Sequence, residues 1–275
     1  MTDRRQKHWS SMFFTIVVVW LLICGPAWAG WYTATKHNDE HRAGYYSSLA
    51  LDADDNPRIS YYYYKPSFYY GYLSFTYWDD NRDTIPQYTV DSSENAGEYC
   101  SMAIDGNTLH VSYYDGENNN LKYAYSSNNF VSEVTRTIAT GTDVGKYSSL
   151  AIDGSGTVHI SYYDQQNDSL KYVSSNDDFA TPVTVDDGDG NNVGRFCSLA
   201  VDGSDTVHIS YYDDDDGDLK YAWSSNYFAS QITMTVDTAG NVGRGSSIAL
   251  DSGDQPHIIY CDDTSASGWY CDNLK

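Results

Sequence analysis

Basic residues are scarce in this 275-residue chain, which has 16 Lys and Arg against 38 Asp and Glu and a formal net charge of -22. Nucleic acid and anionic lipid both select basic surfaces, so the charge argues against either partner. Aromatic residues, in contrast, are plentiful, and 27 of them are tyrosine. Acidic disordered chains are poor in aromatics, so we predict a folded protein.

Long apolar runs are absent except for one over residues 12–23. Basic residues precede this run, and Ala27-Trp28-Ala29 follows it as a small-x-small cleavage site. The run is short for a membrane span. We therefore predict a signal peptide over 1–29, export to the periplasm or the extracellular space, no membrane association after cleavage, and one mature domain over 30–275.

The sequence also lacks sustained helical periodicity. It contains an internal repeat instead. The units share a glycine followed by a run such as Ser-Leu-Ala-Ile-Asp. They begin at Gly44, Gly97, Gly145, Gly194 and Gly243. Their spacing of about 49 residues is much longer than the coils of an open β-solenoid, which is the competing fold.

Each unit contains four short runs typical of β-strands, separated by Gly, Asn and Asp. In the third unit these are Ser-Leu-Ala-Ile-Asp, His-Ile-Ser-Tyr-Tyr-Asp, Leu-Lys-Tyr and a segment ending in Thr-Val-Asp. Four strands per unit of this length predict a five-bladed β-propeller with four-stranded antiparallel blades. The last unit stops after its third strand, so we expect residues 30–36 to close the ring as its fourth.

This repeated pattern resembles secreted bacterial β-propeller repeat proteins, which are loosely grouped with sialidase-like (BNR) propellers. The number and length of the units are also similar to five-bladed lectin propellers of the tachylectin type. The sialidase Asp-box is present only as a fragment, over Asp153–Thr157. The resemblance implies architecture and fixes no function.

Cations and aromatic residues recur where the first strand of each unit begins, and in a propeller these positions converge near the axis. The cations are Lys146, Arg195 and Arg244, and the aromatics are Tyr46, Tyr99, Tyr147 and Phe196. In so acidic a chain, this cluster predicts a site for an anionic ligand such as an acidic sugar stacked on the rings. Charge compensation by nearby aspartates is the alternative.

The first unit has a longer loop after its second strand, and loops that break a repeat often carry binding function. Its aromatic residues are candidate ligand contacts. They include Tyr64, Phe68, Tyr69 and Tyr70. Local packing is the alternative.

The fourth unit has an Asp-rich loop in which Asp213, Asp215 and Asp218 are candidate calcium ligands. The loop matches an EF-hand poorly, and a polar turn is the alternative. Four histidines occupy one repeat position on the second strand. They are His110, His159, His208 and His257. We interpret them as structural hydrogen-bonding groups, because a propeller holds them apart.

Cysteine is infrequent, and no Cys-x-x-Cys motif indicates zinc or redox chemistry. Cys261 and Cys271 are predicted on adjacent strands of the last unit, where they could form a disulfide. Cys100 and Cys197 occupy one repeat position in two units that are not neighbours. We interpret them as buried free thiols.

Three classes of function fit these observations. The sequence favours an exported binding module that recognises a glycan or an extracellular protein, because equivalent sites around a ring give multivalency. A structural protein that self-associates by strand exchange is the second reading. A glycoside hydrolase-like enzyme is the third and least favoured, because the repeated aspartates look structural and no acid other than Glu98 stands out in one unit near the axis. We assign no catalytic residue from the sequence.

Overall fold

The computed structural model describes residues 42–77, 86–263 and 271–275. Within these ranges the chain is all-β and forms five antiparallel sheets, each built from strands that are consecutive in the sequence. Two single-turn 3₁₀ helices, Ser175–Asp177 and Gly188–Gly190, are the helices of this part of the chain. The predicted signal peptide and the closing strand over 30–36 lie outside the described residues.

Four sheets have four strands in sequential order, and the fifth has three described strands. The first sheet contains β1 (Arg42–Leu51), β2 (Pro57–Lys65), β3 (Tyr70–Tyr77) and β4 (Gln87–Asp91). The second contains β5 (Ala96–Asp105), β6 (Thr108–Asp115), β7 (Asn120–Ser126) and β8 (Val134–Ala139). The third contains β9 (Val144–Ile152), β10 (Val158–Asp164), β11 (Ser169–Ser174) and β12 (Val183–Asp186). The fourth contains β13 (Val193–Val201), β14 (Val207–Asp213), β15 (Asp218–Ser224) and β16 (Ile232–Asp237). The fifth contains β17 (Val242–Leu250), β18 (Pro256–Asp262) and β19 (Asn273–Leu274).

The first strand of each sheet packs against the first strand of the next, in the series β1, β5, β9, β13 and β17. These are the inner strands, and this packing is the blade arrangement of a β-propeller. The glycine that opens each unit permits it. A Cβ on Gly97 would lie 2.7 Å from Leu73 Cα of the preceding sheet, and one on Gly145 would lie 2.7 Å from Leu121 Cα. Any larger residue would push the sheets apart.

Hydrogen bonds from short side chains join neighbouring inner strands. Ser148 Oγ donates to the Tyr99 carbonyl at 2.9 Å, and Ser101 Oγ accepts the Leu150 N–H at 3.0 Å. In alternate sheets a thiol replaces the first hydroxyl, so that Cys197 Sγ donates to the Tyr147 carbonyl at 2.9 Å. The repeated Ser-Leu-Ala-Ile-Asp run is therefore explained by contacts between neighbouring sheets.

In the second and fourth sheets, the tyrosine of the second strand and the lysine of the third strand bond to an aspartate of the preceding sheet. Tyr211 OH donates to Asp186 Oδ2 at 2.6 Å, and Lys220 Nζ lies 2.8 Å from the same carboxylate oxygen. Tyr113 and Lys122 bind Asp91 in the same way. Tyr113, Tyr211 and Asp91 are buried, so these bonds between sheets belong to the packed interior of the fold.

Cys261 and Cys271 form a disulfide, with their Cα atoms 5.3 Å apart. It joins β18 to the short segment that leads into β19. Cys100 and Cys197 are buried free thiols, and burial raises the pKa of each to about 12. No helix among the described residues is both long and apolar enough to cross a membrane.

Candidate functional site

The inner strands begin at one end of the molecule, which we call the axial face. Two repeat positions there differ between sheets. The residue after the opening glycine is Tyr45, Glu98, Lys146, Arg195 or Arg244. The residue two before the glycine is Asn95, Asp143, Asn192 or Asn241 in the last four units. Each position has one acid, and the two acids belong to neighbouring sheets.

Glu98 lies half-buried on β5, in register with Tyr114 of β6. Burial raises the pKa of the Glu98 carboxyl above its usual 4.5, and nearby Lys146 partly opposes the rise. The charge of Glu98 in turn raises the pKa of four surrounding phenols, which places the carboxylate among them. They are Tyr46, Tyr62, Tyr99 and Tyr114.

Asp143 immediately precedes β9. Its Oδ1 accepts a hydrogen bond from Tyr114 OH and lies 3.2 Å from Lys146 Nζ. The Tyr114 hydrogen bond is the main cause that lowers the pKa of Asp143 below 3.8, and Lys146 lowers it further. Asp143 is therefore an ionised carboxylate at neutral pH.

Glu98 and Asp143 thus share Tyr114 and Lys146 as neighbours, while their environments move their pKa values in opposite directions. Two titratable groups with diverging pKa values are the arrangement that assigns one acid and one base. The pair can hold a proton on Glu98 and a negative charge on Asp143 at the same mildly acidic pH.

The three predicted cations each lie over the tyrosine of the preceding sheet's second strand. Lys146, Arg195 and Arg244 stand 5.4 Å from the ring centroids of Tyr114, Tyr163 and Tyr212 respectively. They also contact acids. Arg195 Nη1 lies 2.8 Å from Asp214, and Arg244 Nη2 lies 3.8 Å from the same carboxylate. Binding of an anionic ligand by these cations stays a prediction.

The four predicted aromatic residues form a continuous row around the axis. Ring centroids are 4.5 Å apart for Tyr46 and Tyr99, 4.6 Å for Tyr99 and Tyr147, and 4.6 Å for Tyr147 and Phe196. Every member has a left-handed backbone, with φ between 51° and 54°. The cause is a β-bulge in each inner strand. In the second sheet, Tyr99 and Cys100 stand opposite one residue of β6.

The left-handed conformation costs about 1–2 kcal/mol per residue, or about 4–8 kcal/mol for four. Three aromatic contacts contribute about 0.5–1.5 kcal/mol each, which offsets only part of this cost. Glycine adopts the conformation without strain, and Gly245 does so in the fifth sheet at φ 60°. Backbone strain of this kind concentrates at functional sites.

The predicted recognition loop connects β2 to β3 and is exposed at its tip, where Phe68 is 61% and Tyr69 is 84% exposed. Phe68 packs on Tyr70 with centroids 5.7 Å apart, and Lys65 Nζ lies 5.9 Å from the Phe68 ring. The ring centroids of Tyr64 and Tyr62 are 6.4 Å apart, and the charge of Glu98 raises the pKa of Tyr62. A role for this loop in binding remains a prediction.

Two of the three calcium candidates, Asp213 and Asp218, stand opposite each other at the paired ends of β14 and β15. Asp213 Oδ1 accepts the N–H of Asp216 within its own loop, and Asp215 Oδ2 accepts the N–H of Asn192. The described part of the chain contains no group of three or more His, Cys, Asp or Glu side chains that could hold a metal ion. The three aspartates belong to a polar hairpin turn, and calcium binding there stays a prediction.

The repeated histidines have structural partners. His159 bonds to Tyr172 OH through Nδ1 at 2.7 Å and to Asp153 Oδ2 through Nε2 at 3.1 Å. His208 bonds in the same way to Tyr221 and Asp202. These bonds tie the second strand to the third strand and to the turn before it, as predicted.

Sequence reasoning assigned no catalytic residue: it noted Glu98 as an exception among the acids and missed Asp143. The signal was present, because Asp143 is an acid where the equivalent residues Asn95, Asn192 and Asn241 are amides. In so acidic a chain, a single additional aspartate becomes conspicuous only when the units are aligned and the Tyr114 contact is seen.

No protein-family model matches the chain, and no curated protein matches it either. Solved structures do. The α-L-arabinanase of Penicillium chrysogenum, complexed with arabinobiose, is 14% identical with a TM-score of 0.59, and the match covers 82% of this chain and 76% of that one.

Two further structures match at similar identity. A β-xylosidase, RS223, is 11% identical with a TM-score of 0.50, covering 82% of this chain and 88% of that one. A Hadza microbial sialidase is 13% identical with a TM-score of 0.52, covering 80% of this chain and half of that one. Likeness at this identity shows the fold alone, that of a β-propeller.

These neighbours correct one prediction. The sequence favoured an exported, lectin-like binding module, whereas the three matching structures are all glycosidases by name. The findings therefore favour the third reading, a glycoside hydrolase-like enzyme. The physical reason for the error is that repetition suggested equivalent weak sites, while the two unique acids lie where the repetition breaks.

Proposed function

We propose that this protein is a glycoside hydrolase-like enzyme whose reaction centre lies on the axial face, with Glu98 and Asp143 as its catalytic residues. One observation carries the proposal. The axial repeat positions become acidic once each, in neighbouring sheets, and the two carboxyls have pKa values displaced in opposite directions around Tyr114 and Lys146.

The chemistry follows from the two protonation states. Glycosidases place two carboxyl groups on either side of the scissile bond. Glu98, with its raised pKa, donates a proton to the departing glycosidic oxygen as general acid. Asp143, held ionised by Tyr114 and Lys146, supports the positive charge that develops on the anomeric carbon, either as nucleophile or as the base that activates water.

The substrate is a glycan. The arabinanase neighbour was captured with arabinobiose, which makes arabinose-containing oligosaccharides the first substrates to test. The aromatic row beside Glu98 offers ring faces for sugars. Retention or inversion at the anomeric carbon, read by NMR of the first-formed product, distinguishes the two roles of Asp143.

The experiment compares Glu98→Gln with Asp143→Asn on substrates of different leaving group. We expect Glu98→Gln to lower kcat/KM at least a hundredfold on a disaccharide, whose leaving group needs a proton, and far less on a dinitrophenyl glycoside. Asp143→Asn should impair both substrates alike.

Asparagine already occupies the Asp143 position in three units, so Asp143→Asn is expected to fold. The matched control is Asn241→Ala, which removes the equivalent acceptor of a tyrosine hydroxyl, that of Tyr212 at 2.6 Å. Equal activity of Glu98→Gln, Asp143→Asn and the wild type on the disaccharide refutes these assignments.

We also propose that the protein is exported and that its ring is closed between the fifth and first sheets. The Cys261–Cys271 disulfide supports an oxidising compartment. The described residues leave Leu49 of β1 51% exposed, whereas its counterparts in the other inner strands are 5–7% exposed, and closure would bury this apolar side chain as well. Those counterparts are Met102, Leu150, Leu199 and Ile248.

A further inference from the structure

The aromatic row around the axis has four members and ends at Gly245. Ser246 Oγ donates to the Phe196 carbonyl at 2.9 Å, as Ser148 Oγ donates to the Tyr99 carbonyl at 2.9 Å. Gly245 therefore occupies, relative to Phe196, the place that Tyr147 occupies relative to Tyr99. An aromatic residue at Gly245 would be the fifth ring of the row.

That fifth place is open. Gly245 is exposed, and a Cβ built on it meets no heavy atom of the described residues within 4 Å. Phe196 thus has the tilted ring of Tyr147 on one side, at 4.6 Å between centroids, and an open place on the other. The space is one that an aromatic ring fills in each of the four preceding sheets, so its size suits a single six-membered ring.

Polar groups stand beside the opening. Arg244 precedes Gly245 in the chain, and its guanidinium shares the Asp214 carboxylate with Arg195 at 3.8 and 2.8 Å. The side chains of Arg195, Arg244 and Asp214 are each 25–32% exposed, so a ligand can reach them. The site thus offers N–H donors and carboxylate acceptors next to an aromatic face, which is the combination that binds a ring bearing hydroxyls.

The charge around the opening distinguishes neutral sugars from acidic ones. The loop from Asp213 to Asp218 contains five aspartates, while the cations beside it are Arg195, Arg244 and Lys220. The excess of negative charge disfavours a carboxylate on the ligand and leaves a neutral ring as the better fit.

We propose that the opening at Gly245 is a subsite for one neutral sugar ring, stacked on Phe196 and hydrogen-bonded by Asp214 and the two arginines. A role for this subsite in catalysis rests on the proposed function, because Gly245 and Glu98 both lie on the axial face. It assigns the substrate class: a glycan with a neutral residue at this subsite.

The test measures binding of D-galactose, L-arabinose and D-xylose to the full chain by saturation-transfer NMR and titration calorimetry. The key variant is Gly245→Tyr, which completes the row with the residue that three other sheets carry at the same φ. We expect it to lower affinity for the bound sugar at least tenfold while the variant still folds, with a melting temperature reduced no more than by the same strain in the control variant.

Gly106→Tyr is the matched control. Gly106 has a similar φ of 54° and equally open surroundings, but it lies in the turn between β5 and β6, at the far end of the inner strand. This variant should bind as the wild type does. Unchanged affinity in Gly245→Tyr, or binding of none of the three sugars by the wild type, overturns the proposal.

D-Galacturonate tests the charge argument, because it differs from D-galactose only by a carboxylate in place of a hydroxymethyl group. We expect weaker binding of galacturonate. Tighter binding instead supports the anionic ligand that the sequence predicts and rejects a neutral one. Since the readout is binding, Glu98→Gln and Asp143→Asn should retain it, which separates failure of the subsite from failure of the catalytic assignment.

Discussion

At the scale of single residues, Lys146 links the two proposed catalytic acids. Its ammonium lies 3.2 Å from Asp143 and lowers the pKa of both Asp143 and Glu98. Activity requires Glu98 protonated and Asp143 ionised. The rate should therefore fall as the pH rises through the pKa of Glu98, and also as the pH falls through the pKa of Asp143.

Removing the positive charge of Lys146 should shift the pH dependence of activity in one direction. In Lys146→Met both pKa values rise, so both limbs of the profile of kcat/KM against pH should move to higher pH. Lys171→Met is the control, because it removes one charge from the same sheet where Lys171 Nζ bonds to Thr184 at 2.6 Å. A profile that stays in place, or moves to lower pH, contradicts the shared role of Lys146.

The sequence pointed to some residues of this proposed site but assigned a catalytic role to none of them. Glu98 and the cation and aromatic positions could be identified, because they recur at one place in the repeat or break it. Asp143 could not, since its importance depends on a hydroxyl from the neighbouring sheet and on the register that brings Tyr114 to it. The left-handed backbone of the aromatic row was equally hidden, because bulky aromatics rarely adopt it.

At the scale of strands, His159 makes the stability of the packing around β10 depend on pH. It is fully buried, and burial lowers its pKa below 6.5 against the opposing effect of Asp153. Burial alone would raise the pKa of Asp153, but hydrogen bonds from Ser155, Thr157 and His159 outweigh this and hold it well below 3.8.

Both shifts have the same consequence for stability. A histidine with a depressed native pKa stabilises the fold above its unfolded pKa, and this stability is lost as the pH falls below 6.5. The carboxylate contribution is lost at still lower pH, as Asp153 protonates. The melting temperature should therefore decrease from pH 7.5 to pH 5.

His159→Gln tests the histidine part. At pH 7.5 the variant should lose about 1–3 kcal/mol, because buried partners are left unsatisfied. The difference from wild type should narrow toward pH 5, measured by thermal unfolding. His257→Gln, at the equivalent but 68% exposed side chain, should change little. A gap for His159→Gln that stays constant with pH contradicts this account.

The strands themselves were predictable from the sequence. Short β-branched and aromatic runs with Gly, Asn and Asp between them indicated four strands per unit, and the first four sheets have them. The roles of Tyr113, Lys122 and Asp91 were not visible, because they bond across sheets that are adjacent only in the folded chain.

At the scale of the whole molecule, the first sheet leaves exposed an apolar surface that is buried at the equivalent place in the other sheets. Leu49 and Leu51 are each 51% exposed on β1, and Ile259 is 46% exposed on β18. Ile259 replaces the serine that elsewhere bonds to the next inner strand, as Ser210 bonds to Ser246 at 3.0 Å. The contact between the fifth and first sheets is therefore apolar if the ring closes.

Paired substitutions measure whether this face is covered in solution. Leu150→Ala, at a buried position, should cost about 2–5 kcal/mol. If the ring is closed, Leu49→Ala should cost a comparable amount, and deletion of residues 30–36 should also lower the melting temperature. A change within about 0.5 kcal/mol for Leu49→Ala, typical of surface sites, refutes closure over this residue.

The central claim is that the axial face cleaves glycosidic bonds, and incubation with glycans in ¹⁸O-labelled water tests it most directly. We expect the wild-type protein to release arabino-oligosaccharides or related products that carry one ¹⁸O at the new reducing end, detected by mass spectrometry. The double variant Glu98→Gln with Asp143→Asn should release none. Glycans left intact by the wild type, or cleaved equally well by the double variant, would contradict the claim.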